Sequence, residues 1–300
     1  MSEFDAVLNQ HFEDKKQSQK NNPAQPSGGQ GKKEKRNQCY AMIEEACLEA
    51  VSSPTKMMSF LTVQSRFEKY SLNNNLLIFR QRPGATRIKS FDDWKKADQS
   101  VKSGSKSFMI LERVTYTSNG EERYGYNAKA MFDVSDLQQP PEQQTFRYEP
   151  KKLISALVHA SPVPIATVQD YPADKSAGAF YSTKSKMIFA RTGMSVDEIV
   201  TSIAQALVHA ELAQGNPNYR PEDHEFSARC VAYAIAAKYD ISTENVKLLS
   251  IPPSYAGKEA EDVKPALAEI HDCVKTISER MREMFEANRS TLAKEEQEAR

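Results

Sequence analysis

Eight cations and a tryptophan crowd one short stretch of this chain. From Arg80 to Lys106 run Arg80, Arg82, Arg87, Lys89, Lys95, Lys96, Lys102 and Lys106, against only Asp92, Asp93 and Asp98. Eight minus three is a local charge of +5, in a chain that is neutral overall with 40 basic and 40 acidic side chains. The only tryptophan, Trp94, lies among them. Cations track phosphates, and flat rings stack on unpaired bases, so these are the ingredients of a surface for single-stranded nucleic acid. Overall neutrality argues against a general polyanion binder and confines such a site to a local patch.

Other chemistry is limited by residue type and spacing. His209-Ala210-Glu211 has the H-x-E of a zinc deaminase, but that chemistry needs a following P-C-x-x-C, which is absent. The four cysteines, Cys39, Cys47, Cys230 and Cys273, form no C-x-x-C, so a zinc-ribbon reading fails as well. They read as reduced, structural thiols of a cytoplasmic protein. No apolar run approaches the roughly 20 residues needed to cross a bilayer, and no secretory signal opens the chain.

The elements that must position these residues follow from pattern. At 300 residues the length suits two domains, and the reading is α+β. Residues 1–36, rich in Gln, Asn, Lys and Ser, read as a disordered polar tail that ends in Lys32-Lys-Glu-Lys-Arg36. Residues 37–138 form a small helical and antiparallel-sheet domain. Helices are expected over 37–50 and 54–82, the latter stopped by Pro83-Gly84. Ser90-Phe-Asp-Asp93 opens a further helix with a capping serine. Phe108–Tyr116 reads as a strand, turning at Ser118-Asn119-Gly120 into strand that runs on to Val134. Residues 139–149, holding Gln138-Gln-Pro-Pro-Glu-Gln-Gln144 in large part, read as a linker.

A second domain is expected over 150–255. It has a helix from Lys151 to His159, a strand at Ala166-Thr-Val and a hairpin around Thr183–Lys186. Ser195-Val-Asp-Glu198 is a capping box that opens a helix through Leu212, and Pro221 opens another. Within a last segment, 256–300, Val263, Leu267, Ile270, Val274, Ile277, Met281 and Met284 recur at steps of four and three, the spacing of a helix seam. Its partner over residues 261–285 is either a second chain or a groove on this one.

The segment 70–138 resembles the N-terminal domain of ArdC-type antirestriction proteins of conjugative plasmids. The resemblance rests on Tyr70-Ser71, Asn74, Leu76-Leu77-Ile78, Trp94, Val101-Lys102, Gly104, Lys106 and Phe132-Asp133-Val134-Ser135, in that order. It implies binding of single-stranded DNA, with Asn74, Arg80, Arg82, Arg87, Trp94, Lys95, Lys96, Lys102, Gly104 and Lys106 as the contact set. Two readings stay open at Trp94, a stacking ring or a core residue, and at Asn74, a DNA contact or an internal hydrogen bonder.

The second half resembles the zincin-like domain that follows in that family, related to the ImmA/IrrE zinc peptidases. There an H-E-x-x-H helix supplies two zinc ligands and the general base, and a later E-x-x-A glutamate completes the site. Here that helix reads Gln205-Ala206-Leu207-Val208-His209. Only His209 and, in Glu225-Phe-Ser-Ala228, Glu225 remain, as vestigial metal positions. Glu211 should face away from the site, and His224 is a poor substitute ligand. Ala206 takes no proton from water. The expectation is a single-stranded DNA-binding protein with a degenerate metallopeptidase-like domain, no catalysis and no cofactor. The alternatives are an active zinc peptidase with a remodelled site and a non-enzymatic interaction module.

Overall fold

The computed structural model describes residues 28–118, 120–142, 148–169 and 178–298, with residues 28–30 and 288–298 as backbone only. The expected tail up to residue 27 and the central part of the expected linker, 143–147, lie outside these residues.

Three helices open the fold: α1 (Gly28–Ala50), α2 (Pro54–Arg66) and α3 (Leu72–Gln81). Two expectations change here. Helix α1 begins at Gly28, so the basic run Lys32–Arg36 is helical rather than part of a tail. The helix expected over 54–82 is two helices. Phe67 ends α2, and Ser71 caps α3 by accepting from the Asn74 backbone N–H. The apolar content continues through Phe67 and Tyr70, which masks the break, but a Ser at the cap position offers the backbone a better partner than the next helical turn does.

A three-stranded antiparallel sheet follows, ordered β1-β3-β2. β1 (Ile88–Lys89) and the short α4 (Phe91–Lys96) lead into the long hairpin of β2 (Phe108–Ser118) and β3 (Glu121–Asp133). Gly120 at its turn has φ +78°, the left-handed conformation that favours glycine. β2 is an edge strand, and α3 covers its open edge with side-chain amides. Asn74 Nδ2 donates to the Leu111 carbonyl at 2.9 Å while Asn74 Oδ1 accepts from Leu111 N–H at 2.8 Å. Gln81, seven residues along the same helix face, makes the equivalent pair with Met109 at 2.8 and 2.9 Å. The two amides stand in for a fourth strand and satisfy backbone groups that would otherwise be left open.

The second half has α5 (Pro150–His159) and a mixed sheet ordered β4-β6-β5 from β4 (Ile165–Val168), β5 (Ala179–Ser182) and β6 (Met187–Arg191). Then come α6 (Val196–Leu212), α7 (Pro221–Lys238) and the 39-residue α8 (Ala260–Glu298). The Ser195–Glu198 capping box forms as its sequence dictates.

One contiguous apolar core runs through both halves, from Phe60, Leu61 and Leu77 to Leu207, Ile235 and Leu267. α2 packs against α7, and α8 packs against α1, α5 and α7. The seam of α8 is thus used inside the chain. Val263, Leu267, Ile270, Val274, Ile277 and Met281 are all buried. Of the two partners left open for the seam over 261–285, the structure shows a groove on this same chain. Polar ties cross between the halves too. Buried Glu68 pairs with Lys238 at 2.6 Å and Arg282 at 3.6 Å, and the His271 ring contacts the Tyr70 carbonyl at 2.8 Å. No helix among the described residues is long and apolar enough to cross a membrane.

Candidate functional site

The sequence motifs of the first half meet in one knot of loops at the base of the β2–β3 hairpin. Gly104, at φ +81°, lets the 102–105 turn close with Ser105 N–H donating to Lys102 O. That turn docks on the 3-10 turn Val134–Asp136: Lys102 N–H donates to Asp136 O at 2.8 Å, and Lys102 Nζ to Ser135 O at 3.1 Å. Asp133 anchors the other side. Its carboxylate accepts from the backbone N–H groups of Thr86, Arg87 and Ser135 and from the Ser135 hydroxyl. Burial opposes ionisation of Asp133, but these hydrogen bonds together outweigh it and hold the carboxyl below its ordinary value. Asp136 reciprocates by accepting from Asp133 N–H at 2.9 Å.

This knot sorts the expected contact residues. Asn74 is 8% exposed and its amide is spent on Leu111. Trp94 is 2% exposed, in a small core of its own with Val134 and Leu137, and its indole N–H donates to the Phe132 carbonyl at 3.0 Å. Both side chains thus make internal hydrogen bonds, and Asn74 also lines the cavity beside the knot. Arg80 pairs with Glu45 and Glu49 of α1 at 3.1 and 3.0 Å. Arg82 pairs with Asp136 at 2.6 Å. These two arginines brace the scaffold. Lys96 pairs with Asp93 at 3.4 Å. Arg87, Lys95 and Lys106 are exposed and make no ion pair among the described residues. The structure therefore keeps the loop cluster basic at its surface while assigning half of the expected set to internal work.

Beside the knot a cavity of about 470 Å³ has an apolar floor of Ile88, Ile110, Leu111 and Met131. Its rim holds Lys89 and Lys129 against Asp93 and Glu112. Two cations balanced by two anions make this a poor phosphate site.

The residues that sequence reasoning passed over are exposed aromatics. Tyr40, Tyr116, Tyr124 and Tyr126 all keep large exposed areas, and Arg113 lies over the Tyr124 ring at 4.2 Å. The signal was present as Tyr-Gly-Tyr beside an arginine, but strand alternation alone does not say which face lacks a cover.

In the second half, α6 and α7 bring Gln205, His209 and Glu225 together. Gln205 Nε2 donates to Glu225 Oε1 at 2.6 Å, and His209 Nε2 lies 3.3 Å from Glu225 Oε2. Hydrogen bonding from His209 is the main cause that holds the Glu225 carboxyl below the usual carboxylate value. An ionised carboxylate only accepts, so His209 Nε2 donates toward it. Its Nδ1 lies 2.6 Å from the Tyr219 hydroxyl, within hydrogen-bond distance. Burial pushes the Tyr219 phenol up, which keeps that hydroxyl protonated. Both oxygens of Glu225 and both nitrogens of His209 are thus engaged.

Glu211 points elsewhere, to Arg280 of α8 at 2.7 Å, and His224 to Glu269 at 3.1 Å. No group of three or more His, Cys, Asp or Glu able to hold a metal occurs among the described residues. A catalytic zinc takes three protein ligands and a base for its water. Two donors, an amide and an alanine do not fit it. A cavity of about 240 Å³ adjoins Gln205, lined by Arg191, Glu198, Ser202, Arg229 and Asn245, a largely polar wall.

The chain is an α+β protein whose N-terminal part builds a basic loop cluster on a hairpin and whose second half folds onto the same core. Residues 32–149 match the family model of the N-terminal domain of anti-restriction factor ArdC. Among solved structures it is similar to the antirestriction ArdC protein from R388 plasmid. The metal-free crystal structure of that protein aligns at 14% identity and a TM-score of 0.48, covering 71% of this chain and 86% of that one. The Mn(II)-bound structure aligns at 13% identity and a TM-score of 0.48, covering 71% and 85%. No curated protein matches the sequence.

Proposed function

We propose that this protein binds single-stranded DNA through its N-terminal part, in an antirestriction role on a plasmid or related conjugative element. The observation that carries the reading is the ArdC-type match over residues 32–149, taken with the exposed cations of its motif loops that make no ion pair among the described residues. Phosphate attraction needs no base recognition, so the binding is largely sequence-tolerant. Coating a strand occludes a nuclease sterically and requires no chemistry of the protein.

The second half is a zincin-like domain without peptidase activity. Gln205 in place of a ligand and Ala206 in place of a base support this, together with a His209–Glu225 pair already hydrogen-bonded to Gln205 and Tyr219. The R388 protein has been crystallised with Mn(II). Of the H-E-x-x-H and E-x-x-A donors this chain keeps His209 and Glu225, and the domain serves as a scaffold that braces the N-terminal helices.

Binding of a labelled single-stranded oligonucleotide to the full chain across a salt series tests the first part. Affinity should fall linearly on a log–log plot as salt rises. Binding that is absent, or indifferent to salt, overturns it. Metal analysis and a peptidase assay test the second. Stoichiometric zinc with cleavage lost in His209→Ala would restore the enzyme reading.

A further inference from the structure

The distal half of the β2–β3 hairpin projects beyond the apolar core. Residues paired directly across two strands share a face. Arg113 stands opposite Tyr126 and Thr115 opposite Tyr124, all on one face. Tyr124 is 60% exposed and Tyr126 40%, and the Arg113 guanidinium lies over the Tyr124 ring. Helix α1 reaches the same place: Arg36 donates to the Tyr126 carbonyl at 3.5 Å. One turn further along α1, Tyr40 is exposed as well. By helical geometry Lys32, Lys33, Arg36 and Tyr40 fall within an arc of about 100°. Glu122 near the hairpin tip and Glu44 one turn beyond Tyr40 are the acids at the margins.

Three tyrosine rings exposed together are not explained by folding. Each ring is amphipathic and large, and nothing among the described residues covers them. Interleaved with them are four cations, Lys32, Lys33, Arg36 and Arg113. We propose that this face is a stacking platform for unpaired bases, in which Tyr40, Tyr124 and Tyr126 offer ring faces and the four cations meet the phosphates. The proposal rests on the single-strand reading above and adds a surface distinct from the loop cluster. The cluster lies at the base of the hairpin and the platform toward its tip, so one strand running along the hairpin engages both. Base–aromatic stacking is tolerant of sequence, since every base has a π-face.

Tyr116 provides an internal control. It is also half exposed, but it lies on the opposite face beside Arg123, away from α1.

The test is fluorescence anisotropy of a labelled oligothymidylate of about 15 nucleotides with the full chain. Tyr124→Ala with Tyr126→Ala should weaken binding at least about tenfold. Tyr124→Phe with Tyr126→Phe keeps the rings and should retain wild-type affinity, as should Tyr116→Ala. If the double alanine variant stays within twofold of wild type, or the double phenylalanine variant falls as far as the alanine one, the platform is overturned. A wild-type chain that binds no oligonucleotide sinks the single-strand reading itself. One that binds through the loop cluster alone sinks only this inference. Equal binding of a polyglutamate peptide with the same dependence on Tyr124 and Tyr126 would assign the face to an acidic protein partner and overturn the proposal.

Discussion

The side-chain amide of Asn74 closes a two-bond ring with the backbone of Leu111, and so helix α3 completes the open edge of β2. Asn74→Ala leaves a buried N–H and C=O of Leu111 without partners. Desolvation of such groups costs about 1–3 kcal/mol each, so a loss of roughly 2–6 kcal/mol is expected. Gln81→Ala, at a half-buried position where water can substitute, should cost less. Urea unfolding of the two variants against wild type checks both the size and the order.

Asp133 makes stability depend on pH in a defined direction. Its folded value lies below the ordinary aspartate value near 3.9. The stabilisation is therefore fully present above about pH 4 and is lost as pH falls through the lower folded value. Thermal melts of wild type from neutral pH downward should show this fall. Asp133→Asn should be less stable at neutral pH, and the gap between the two should narrow below about pH 4. A gap that widens on acidification would contradict the hydrogen-bond count at this carboxylate.

The basic side chains of the loop cluster divide into two functional groups. Changing Arg87, Lys95 and Lys106 together to Ala should leave folding intact and reduce the salt slope of oligonucleotide binding by about 2, at ~0.7 per phosphate contact on a single strand. Arg82→Ala should instead cost about 1–2 kcal/mol of stability, because the mostly buried Asp136 loses its partner. Parallel binding and unfolding measurements separate the two groups.

On the zincin-like reading proposed above, Gln205 takes the place of a ligand, so restoring that ligand tests the reading. Gln205→His with Ala206→Glu should give a chain that retains about one zinc after dialysis, while wild type retains little. The expected geometry follows from the existing approach of residue 205 to Glu225 and of His209 to the same carboxylate. Inductively coupled plasma analysis gives the answer directly. A restored variant that remains metal-free would mean that the cleft has drifted beyond the two substitutions.

Local signals in the chain were strong enough to place most elements. Ser90, Ser195 and Pro221 mark helix starts by side-chain or ring chemistry that acts within four residues, and Gly120 marks its turn by backbone freedom. The helical spacing of Gln205 and His209, and the later Glu225, was also readable, and the three meet across α6 and α7. What stayed illegible was long-range pairing. Arg80 reaches carboxylates 31 and 35 residues away, and Arg82 one 54 residues away, so neither pairing could be inferred from a local charge count. The seam of α8 had the right spacing, but spacing does not name the groove that receives it. Exposure of Tyr124 and Tyr126 depends on how far the hairpin outruns its core, which no strand pattern reports.

The burial of Trp94 has an optical consequence. It is the only indole in the chain, and it sits in the small core of Val134 and Leu137 under Arg87 and Lys89, apart from the main interior. Its emission therefore reports the local environment of the loop cluster and not the bulk of the fold. Intrinsic fluorescence offers a label-free gauge of whether that cluster loosens, tightens or melts ahead of the rest, on ligand addition or on heating.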